Sequence, residues 1–588
     1  MKKMNVPFQT TISDPPVSLP EHTDQKYTPT HSISILIGGA AGTGIMTLEN
    51  ILSDAFKRSG YFVFSTKEYM SRVRGGSNTT LLRISDAPVN APCWHVNLFI
   101  ALDADAISHV HERLTSDTIV IADESINNEE IAITSMPMLE TVKKVGNIRY
   151  ANSYVAGVLF AMLALGTEIL SQSIETLFDD QKPQENETAM QEGFSYGKSL
   201  TSSQLPKLPA PVSGLDNSMH LVNGSAAAGF GFLLGGCNMI TSYPMSPSTG
   251  VLNFMASMSK EFTLLVEQSE DEIASLNMVL GGWFSGGRAM TSTSGGGFAL
   301  MTEAMSLSGV SEIPAVIYLA QRPGPATGLP TRTEQGDLNL ALYSGHGDFG
   351  RIILAPGDLQ ECIDYGYLAF ELADRYQMPV VYLSDQYLAD SISMIETVDF
   401  STYEQRRYIK TTEASYHRFT FNDTGISPRG VPGLGEGIVV SSSHEHDERG
   451  QSTESYQMRE KMVEKRQQKI NLTIAEAFAP KVFGQGSIAV IGWGSTKGAI
   501  DEVLKELNDP RLFQVHFSWV HPLNPEHLEI LKATEANIVI ENNTTGQFAD
   551  ILKSYDVNID HRILQSNGFS FFTDQLKEKL SKIIKEEK

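Results

Sequence analysis

Short apolar runs rich in valine, isoleucine and leucine recur along the chain, each set off by glycine, proline or polar residues. They fall into three groups: 32–38, 61–64, 97–102 and 118–122; then 237–242, 264–266, 315–319, 352–354 and 380–383; then 487–492, 513–517 and 536–541. Stretches of helical period lie between them, the first over 45–59. Strands that alternate with helices and read as near-continuous apolar runs predict mainly parallel sheets covered on both faces. The fold class is therefore α/β, with three α/β domains over 32–193, 217–398 and 471–588. An arm over 1–31, a Pro- and Ser-rich linker over 194–216 and a polar connector over 399–470 fill the intervals. The arm has the composition of a disordered or loosely docked segment and lacks the apolar core of a signal peptide.

Composition narrows the function. A chain of 588 residues exceeds what one core serves, in keeping with several domains. Its formal charge of −24 speaks against nucleic acid or an anionic membrane as a broad partner, although a few local arginines can still receive an anionic substrate. The longest apolar stretch, 154–166, is too short to span a bilayer. Cys93, Cys237 and Cys362 are too few and too far apart for a disulfide framework, a zinc site or an iron–sulfur cluster, and a cytoplasmic location is expected.

Several turns carry residue types suited to ligands. Tyr243 to Thr249 follows a predicted strand and holds two prolines and the hydroxyls of Ser246 and Ser248, so it presents N–H and O–H groups at a strand end. An ordinary strand-to-helix turn would read the same way. Gly38 to Gly44 opens a βαβ unit and could receive a phosphate at a helix N-terminus. Its order is G-x-x-G-x-G, and Thr66 and Lys67 stand where a dinucleotide site needs an acid. Arg72, Arg74, Gly75 and Gly76 form a cationic turn that reads equally as an anion site or a solvated loop. His444 to Glu448 has metal-ligand types without helical spacing, which favours a loop, and no metal site is assigned to this chain.

Taken together, Tyr243-Pro244-Met245-Ser246-Pro247 resembles the Tyr-Pro-x-Thr-Pro motif of the 2-oxoacid:ferredoxin oxidoreductases, in their alpha subunit. Glu267-Gln268-Ser269-Glu270, Gln321-Arg322-Pro323-Gly324-Pro325 and the run from Gly328 to Asp337 follow in the family's order. The front of the chain resembles the family's gamma subunit, so the likeness reaches from about Ile33 to the C-terminus. Ser246 replaces the family's threonine, which keeps the hydroxyl and loses the methyl.

The resemblance implies a gamma-like domain, a thiamine-diphosphate pyrimidine-binding-type domain and a transketolase C-terminal-like domain. It implies that Glu270, with Glu267 as the fallback, meets the pyrimidine ring beside Tyr243, Pro244 and Ser246. Ser246 and Arg332 would bind the 2-oxoacid, with Arg322 as the alternative cation, and Arg72, Arg74, Gly75 and Gly76 would approach coenzyme A. The family's Gly-Asp-Gly sign for Mg²⁺ and diphosphate is missing. Mg²⁺, the diphosphate contacts and the [4Fe–4S] cluster are therefore expected in a partner beta subunit, with thiamine diphosphate shared across the interface. The implied reaction converts a 2-oxoacid, CoA and oxidised ferredoxin into acyl-CoA, CO₂ and reduced ferredoxin, with 2-oxoglutarate favoured over pyruvate and branched-chain 2-oxoacids. The rival readings are the pyrimidine-binding subunit of another thiamine enzyme and a nucleotide-binding scaffold.

Overall fold

The computed structural model describes residues 17–19, 32–70, 76–178, 183–200 and 207–586. The rest of the expected arm lies outside them, as do Arg72, Arg74 and Gly75. Val17 is buried in the same apolar core as the second sheet, and Leu19 packs against it.

The first unit contributes β1 (Ser32–Ala40), β2 (Phe62–Glu68), β3 (Ser77–Ser85), β4 (Leu98–Ala101), β5 (Ile119–Asp123) and β6 (Ile133–Met136). The second supplies β7 (Met219–Asn223), β8 (Met239–Ser242), β9 (Leu265–Gln268), β10 (Ala289–Thr293), β11 (Ala315–Gln321), β12 (Ile352–Leu354), β13 (Pro379–Asp385) and β14 (Ile392–Glu396). The third holds β15 (Lys481–Phe483), β16 (Ile488–Trp493), β17 (Leu512–Phe517), β18 (Trp519–His521), β19 (Ala536–Glu541) and β20 (His561–Leu564). They form sheets ordered β6-β5-β4-β1-β3-β2-β14-β7, β18-β12-β13-β11-β10-β8-β9 and β15-β17-β16-β19-β20. The α/β expectation is met.

In the second sheet β8 to β13 all pair in parallel, and β11 and β13 are buried along their full lengths. That is why their sequences read as unbroken apolar runs. The helix Gly224–Leu234 carries small residues such as Ala228 and Gly231 where the helix Leu359–Tyr376 crosses it closely. A side chain on Gly231 would sit 2.3 Å from the Ile363 carbonyl.

Three features depart from the sequence expectation. The helix Pro183–Ser199 runs six residues past the boundary read at 193, into the expected linker. Gly193 and Gly197, which look like breakers, lie where this helix crosses Ala151–Met162; an added Cβ would meet the carbonyls of Tyr154 at 2.0 Å and Val158 at 2.6 Å. The strands β7 and β14 belong by sequence to the second unit but complete the first sheet, with Ile392 paired to Ser65. Likewise β18 leaves the third unit and pairs with β12, joining His521 to Ile353. Strand exchange thus ties each unit to its neighbour, and the buried Arg83–Glu502 ion pair at 2.7 Å joins the first to the third. Among the described residues no helix is long and apolar enough to cross a membrane.

Candidate active site

The carboxyl ends of β9, β8, β10 and β11 lie side by side, the position where open parallel sheets collect ligands. Ser242 ends β8 opposite Gln268 of β9, and its hydroxyl accepts the Ser292 N–H from β10 at 2.8 Å. From there the chain turns through Tyr243 to Ser248, with a cis peptide at Ser246–Pro247, and enters the helix Thr249–Phe262. The two hydroxyls of this turn differ in fate. Ser248 is buried and donates to the Met245 carbonyl at 2.7 Å, so it holds the turn together. Ser246 is exposed, as is Tyr243.

Glu270 follows β9 and is exposed. The residue that caps the next helix, Glu272–Phe284, is Asp271, whose side chain accepts the Ala274 N–H at 2.7 Å. The helix-end duty therefore falls to Asp271, and the Glu270 carboxylate stands outside the cap. Glu267 lies within β9 on the same face as Leu265, the most exposed apolar residue of that strand. A third carboxylate, Glu272, was not singled out from sequence. It is only 4% exposed, its Oε1 has no hydrogen-bond partner, and a Cβ on Gly297 would come within 2.7 Å of it. Three glutamates within six residues look alike in sequence; only burial separates them.

The two candidate substrate arginines part company. Arg322 follows β11, and its Nη1 donates to the Ser246 carbonyl at 2.5 Å. Its Nε is buried without a partner, and burial lowers its pKa against the opposing pull of Asp337. Asp337, also not singled out as a site residue, has its N–H bonded to Gln321 Oε1 at 3.0 Å. Its carboxylate lies over Gly295, where a Cβ would be 2.4 Å from both oxygens. Burial pushes that carboxyl up to about 6, with Arg322 opposing. Arg332, by contrast, pairs with Glu68 of β2 at 3.1 Å and stacks 4.8 Å from the Phe569 ring of the third unit.

The other turns are filled from within. In the glycine turn Ala40 N–H donates to the Asp103 carboxylate, and a Cβ on Gly44 would strike the Asn152 amide at 2.1 Å. An anion there would meet a carboxylate. At the Gly492 to Thr496 turn, Ser495 donates to Asp385 and the Trp493 carbonyl accepts Gln335 Nε2 at 2.9 Å. In the connector Glu445 pairs with Arg459 at 2.5 Å and Arg466 at 2.9 Å, while His446 is buried against Phe419. Gly76, the described end of the cationic turn, takes φ +93° ahead of β3.

Comparison with known proteins matches residues 231–465 to the family described as pyruvate flavodoxin/ferredoxin oxidoreductase, thiamine diP-binding, and residues 34–196 to pyruvate ferredoxin/flavodoxin oxidoreductase. The 2-oxoacid:ferredoxin oxidoreductase subunit alpha of Sulfolobus sp is 30% identical over 94% of this chain and 97% of its own length. The subunit of the same name from Saccharolobus solfataricus is 31% identical over 94% and 98%. Among solved structures, the 2-oxoglutarate:ferredoxin oxidoreductase from Magnetococcus marinus, with 2-oxoglutarate, coenzyme A and succinyl-CoA bound, superposes with a TM-score of 0.88. It is 27% identical and covers 94% of this chain and 99% of that one.

Proposed function

We propose that this chain, which belongs to the 2-oxoacid:ferredoxin oxidoreductase alpha-subunit family, acts on 2-oxoglutarate and forms succinyl-CoA, CO₂ and reduced ferredoxin. The observation that carries the site assignment is the contact between Arg322 and the Ser246 carbonyl, which brings a half-buried cation, its Nε buried without a partner, to the motif turn. The substrate choice leans on the solved relative with 2-oxoglutarate bound and on relatives named 2-oxoglutarate synthase, such as that of Archaeoglobus fulgidus, 38% identical over 32% of this chain.

The residues present fit one half of a thiamine diphosphate site. Glu270 is an exposed carboxylate free of helix capping, next to the Tyr243–Ser246 turn and just past the edge strand β9, which pairs on one side only among the described residues. That arrangement suits a ring whose other face is held by a partner chain. Glu270 would accept a hydrogen bond from the pyrimidine nitrogen and keep a proton there, with Tyr243 and Pro244 against the ring. Thiamine diphosphate supplies the electron sink for decarboxylation when bound. Arg322 would hold the substrate carboxylate, a pairing for which a guanidinium fork is suited, and the Ser246 hydroxyl would bond the oxo group. Arg322 is preferred here to Arg332 because Arg332 is already paired with Glu68.

A beta subunit would bring Mg²⁺, the diphosphate contacts and the [4Fe–4S] centre that passes electrons to ferredoxin, while the segment Arg72 to Gly76 would approach coenzyme A. With Cys93, Cys237 and Cys362 all unpaired, a reducing cytoplasm suits the chain. The experiment is viologen reduction by the complex of this chain with its beta partner, under anaerobic conditions with CoA. The substrates are 2-oxoglutarate, pyruvate and 2-oxoisovalerate, with this chain alone as control. Activity with 2-oxoglutarate that needs both chains is expected. Preference for another oxoacid would overturn the substrate, and activity of the chain alone would overturn the half-site.

A further inference from the structure

We infer that Arg332 is a positioning residue, clamping the 322–337 loop between the first and third units through Glu68 and Phe569 and thereby fixing Arg322 over Ser246. This rests on the assignment of Arg322 and Ser246 to the 2-oxoacid.

The loop leaves β11 at Arg322 and is stitched on consecutive residues. Thr331 Oγ1 donates to the Tyr69 carbonyl at 2.8 Å, and Arg332 Nη1 donates to Glu68 Oε2 at 3.1 Å, both just past or at the end of β2. Thr333 N–H donates to the Gly568 carbonyl at 3.2 Å, and its hydroxyl accepts the Tyr387 N–H at 3.2 Å. Gln335 exchanges main-chain and side-chain bonds with Asn542, at 2.6 and 2.9 Å. Gly568 has φ +84°, and a Cβ there would lie 3.1 Å from that of Arg332, so the loop passes as close to the third unit as the backbone permits.

The charges make Arg332 a poor receptor for a substrate anion. Glu68 is shared: its Oε1 holds Arg113 at 3.0 Å. Arg113 is in turn fixed by the Trp94 carbonyl at 3.1 Å and stacks 5.4 Å from both Trp94 and Phe572. One carboxylate thus bridges two guanidinium groups within an aromatic enclosure, and both Arg332 and Glu68 are only 16% exposed. In such a setting the pair is screened little by solvent, and breaking it leaves two cations facing one another. A substrate carboxylate would have to compete with an anion already in place. Arg322 instead donates to a neutral carbonyl, and the acid that acts on it, Asp337, is one whose neutral form burial favours.

A double-mutant cycle separates the two roles. Glu68→Gln, Arg332→Met and the pair are made in the complex with the beta partner, and kcat and KM are measured for the 2-oxoacid. A clamp predicts that each single variant raises KM by about tenfold and that the double variant is no worse than either, the mark of coupled residues. A substrate-binding Arg332 predicts a wild-type Glu68→Gln, a severe Arg332→Met and a double variant equal to Arg332→Met, and that result would overturn the clamp. Hydrogen exchange of the peptide covering 322–337 supplies a readout free of turnover. Faster exchange in Glu68→Gln is expected, and unchanged exchange sinks the proposal. Because exchange reports the clamp alone, loss of the Arg322 assignment and loss of the clamp are distinct results. Should Glu68→Gln not assemble, Glu68→Asp keeps the charge while shortening its reach and is read the same way.

Discussion

Arg322 Nη1 meets the main-chain carbonyl of Ser246 at 2.5 Å, although 76 positions separate the two residues. The end of β11 and the turn after β8 are therefore joined side chain to main chain at the sheet's carboxyl edge. Replacing Arg322 by alanine should lower kcat/KM for the 2-oxoacid by about 100-fold or more, the loss typical of removing one partner of a desolvated charge pair. Arg322→Lys should recover only part, since an ammonium cannot bond the Ser246 carbonyl and grip a carboxylate as a fork does. Steady-state kinetics on the complex checks both, and wild-type values for Arg322→Ala would remove this residue from the site.

Glu270 lies outside the helix cap, so its charge has no structural task in the fold that Asp271 does not already perform. Glu270→Gln should leave folding and assembly with the partner intact and reduce turnover by about 10²- to 10⁴-fold, the range for a positioned proton-transfer group. Glu272→Gln supplies the contrast, because its carboxylate is buried beside Gly297 and a change there should show in thermal stability as well. If Glu272→Gln stopped turnover while Glu270→Gln did not, the two roles would be exchanged.

Asp337 gives the site a pH dependence. Its carboxyl is raised from 3.8 to about 6 by burial, with Arg322 opposing the rise, and Asp337 in turn adds to the burial that raises Glu334. Below about pH 6 Asp337 is neutral and Arg322 keeps its full charge for the substrate; above it the Asp337 anion competes. KM for the 2-oxoacid should therefore rise as pH passes upward through about 6, and Asp337→Asn should flatten that limb at the low value. The stability sign follows from the same shift. A carboxyl raised in the fold stabilises it below about pH 4, and that contribution is lost as pH rises through about 6. Asp337→Asn should thus unfold at a higher temperature than the wild type at pH 8, with an upper bound of about 3 kcal/mol from a shift of about two units. Identical pH profiles for the two proteins would refute the assignment.

The central strands were legible because burial on both faces leaves only apolar residues, as in β11 and β13. The strands β7 and β14 at the sheet's end were not, since partly exposed residues such as Leu221 and Ser393 carry no such run and their pairing is set by distant chain. Glycine misled where it served close approach: Gly193 and Gly197 continue a helix that their composition seemed to end. In the site, the motif turn and both arginines were visible as residue types. Which arginine meets Ser246 depends on the register of β8, β10 and β11, which no local spacing encodes. Asp337 stood in the quoted run from Gly328, yet only its seat on Gly295 sets it apart from Glu334.

The half-site assignment also makes a prediction about assembly. An edge strand offers unpaired backbone groups, and native proteins cover or blunt such edges. Here β9 closes the second sheet with Leu265 55% exposed, and the helix that follows it leaves Ile273 at 49% and Met278 at 41%. Single exposed apolar residues are ordinary, but these share an edge with Glu270 and Tyr243, where the cofactor's second half must arrive. The double change Leu265→Asp and Ile273→Asp should therefore block co-purification with the beta subunit. Both side chains already face solvent, so the melting temperature of the isolated chain should move little. Size-exclusion chromatography of the co-expressed pair reads the outcome directly. An intact complex carrying both aspartates would show that the partner docks elsewhere, and the shared site at the end of β9 would then have to be abandoned.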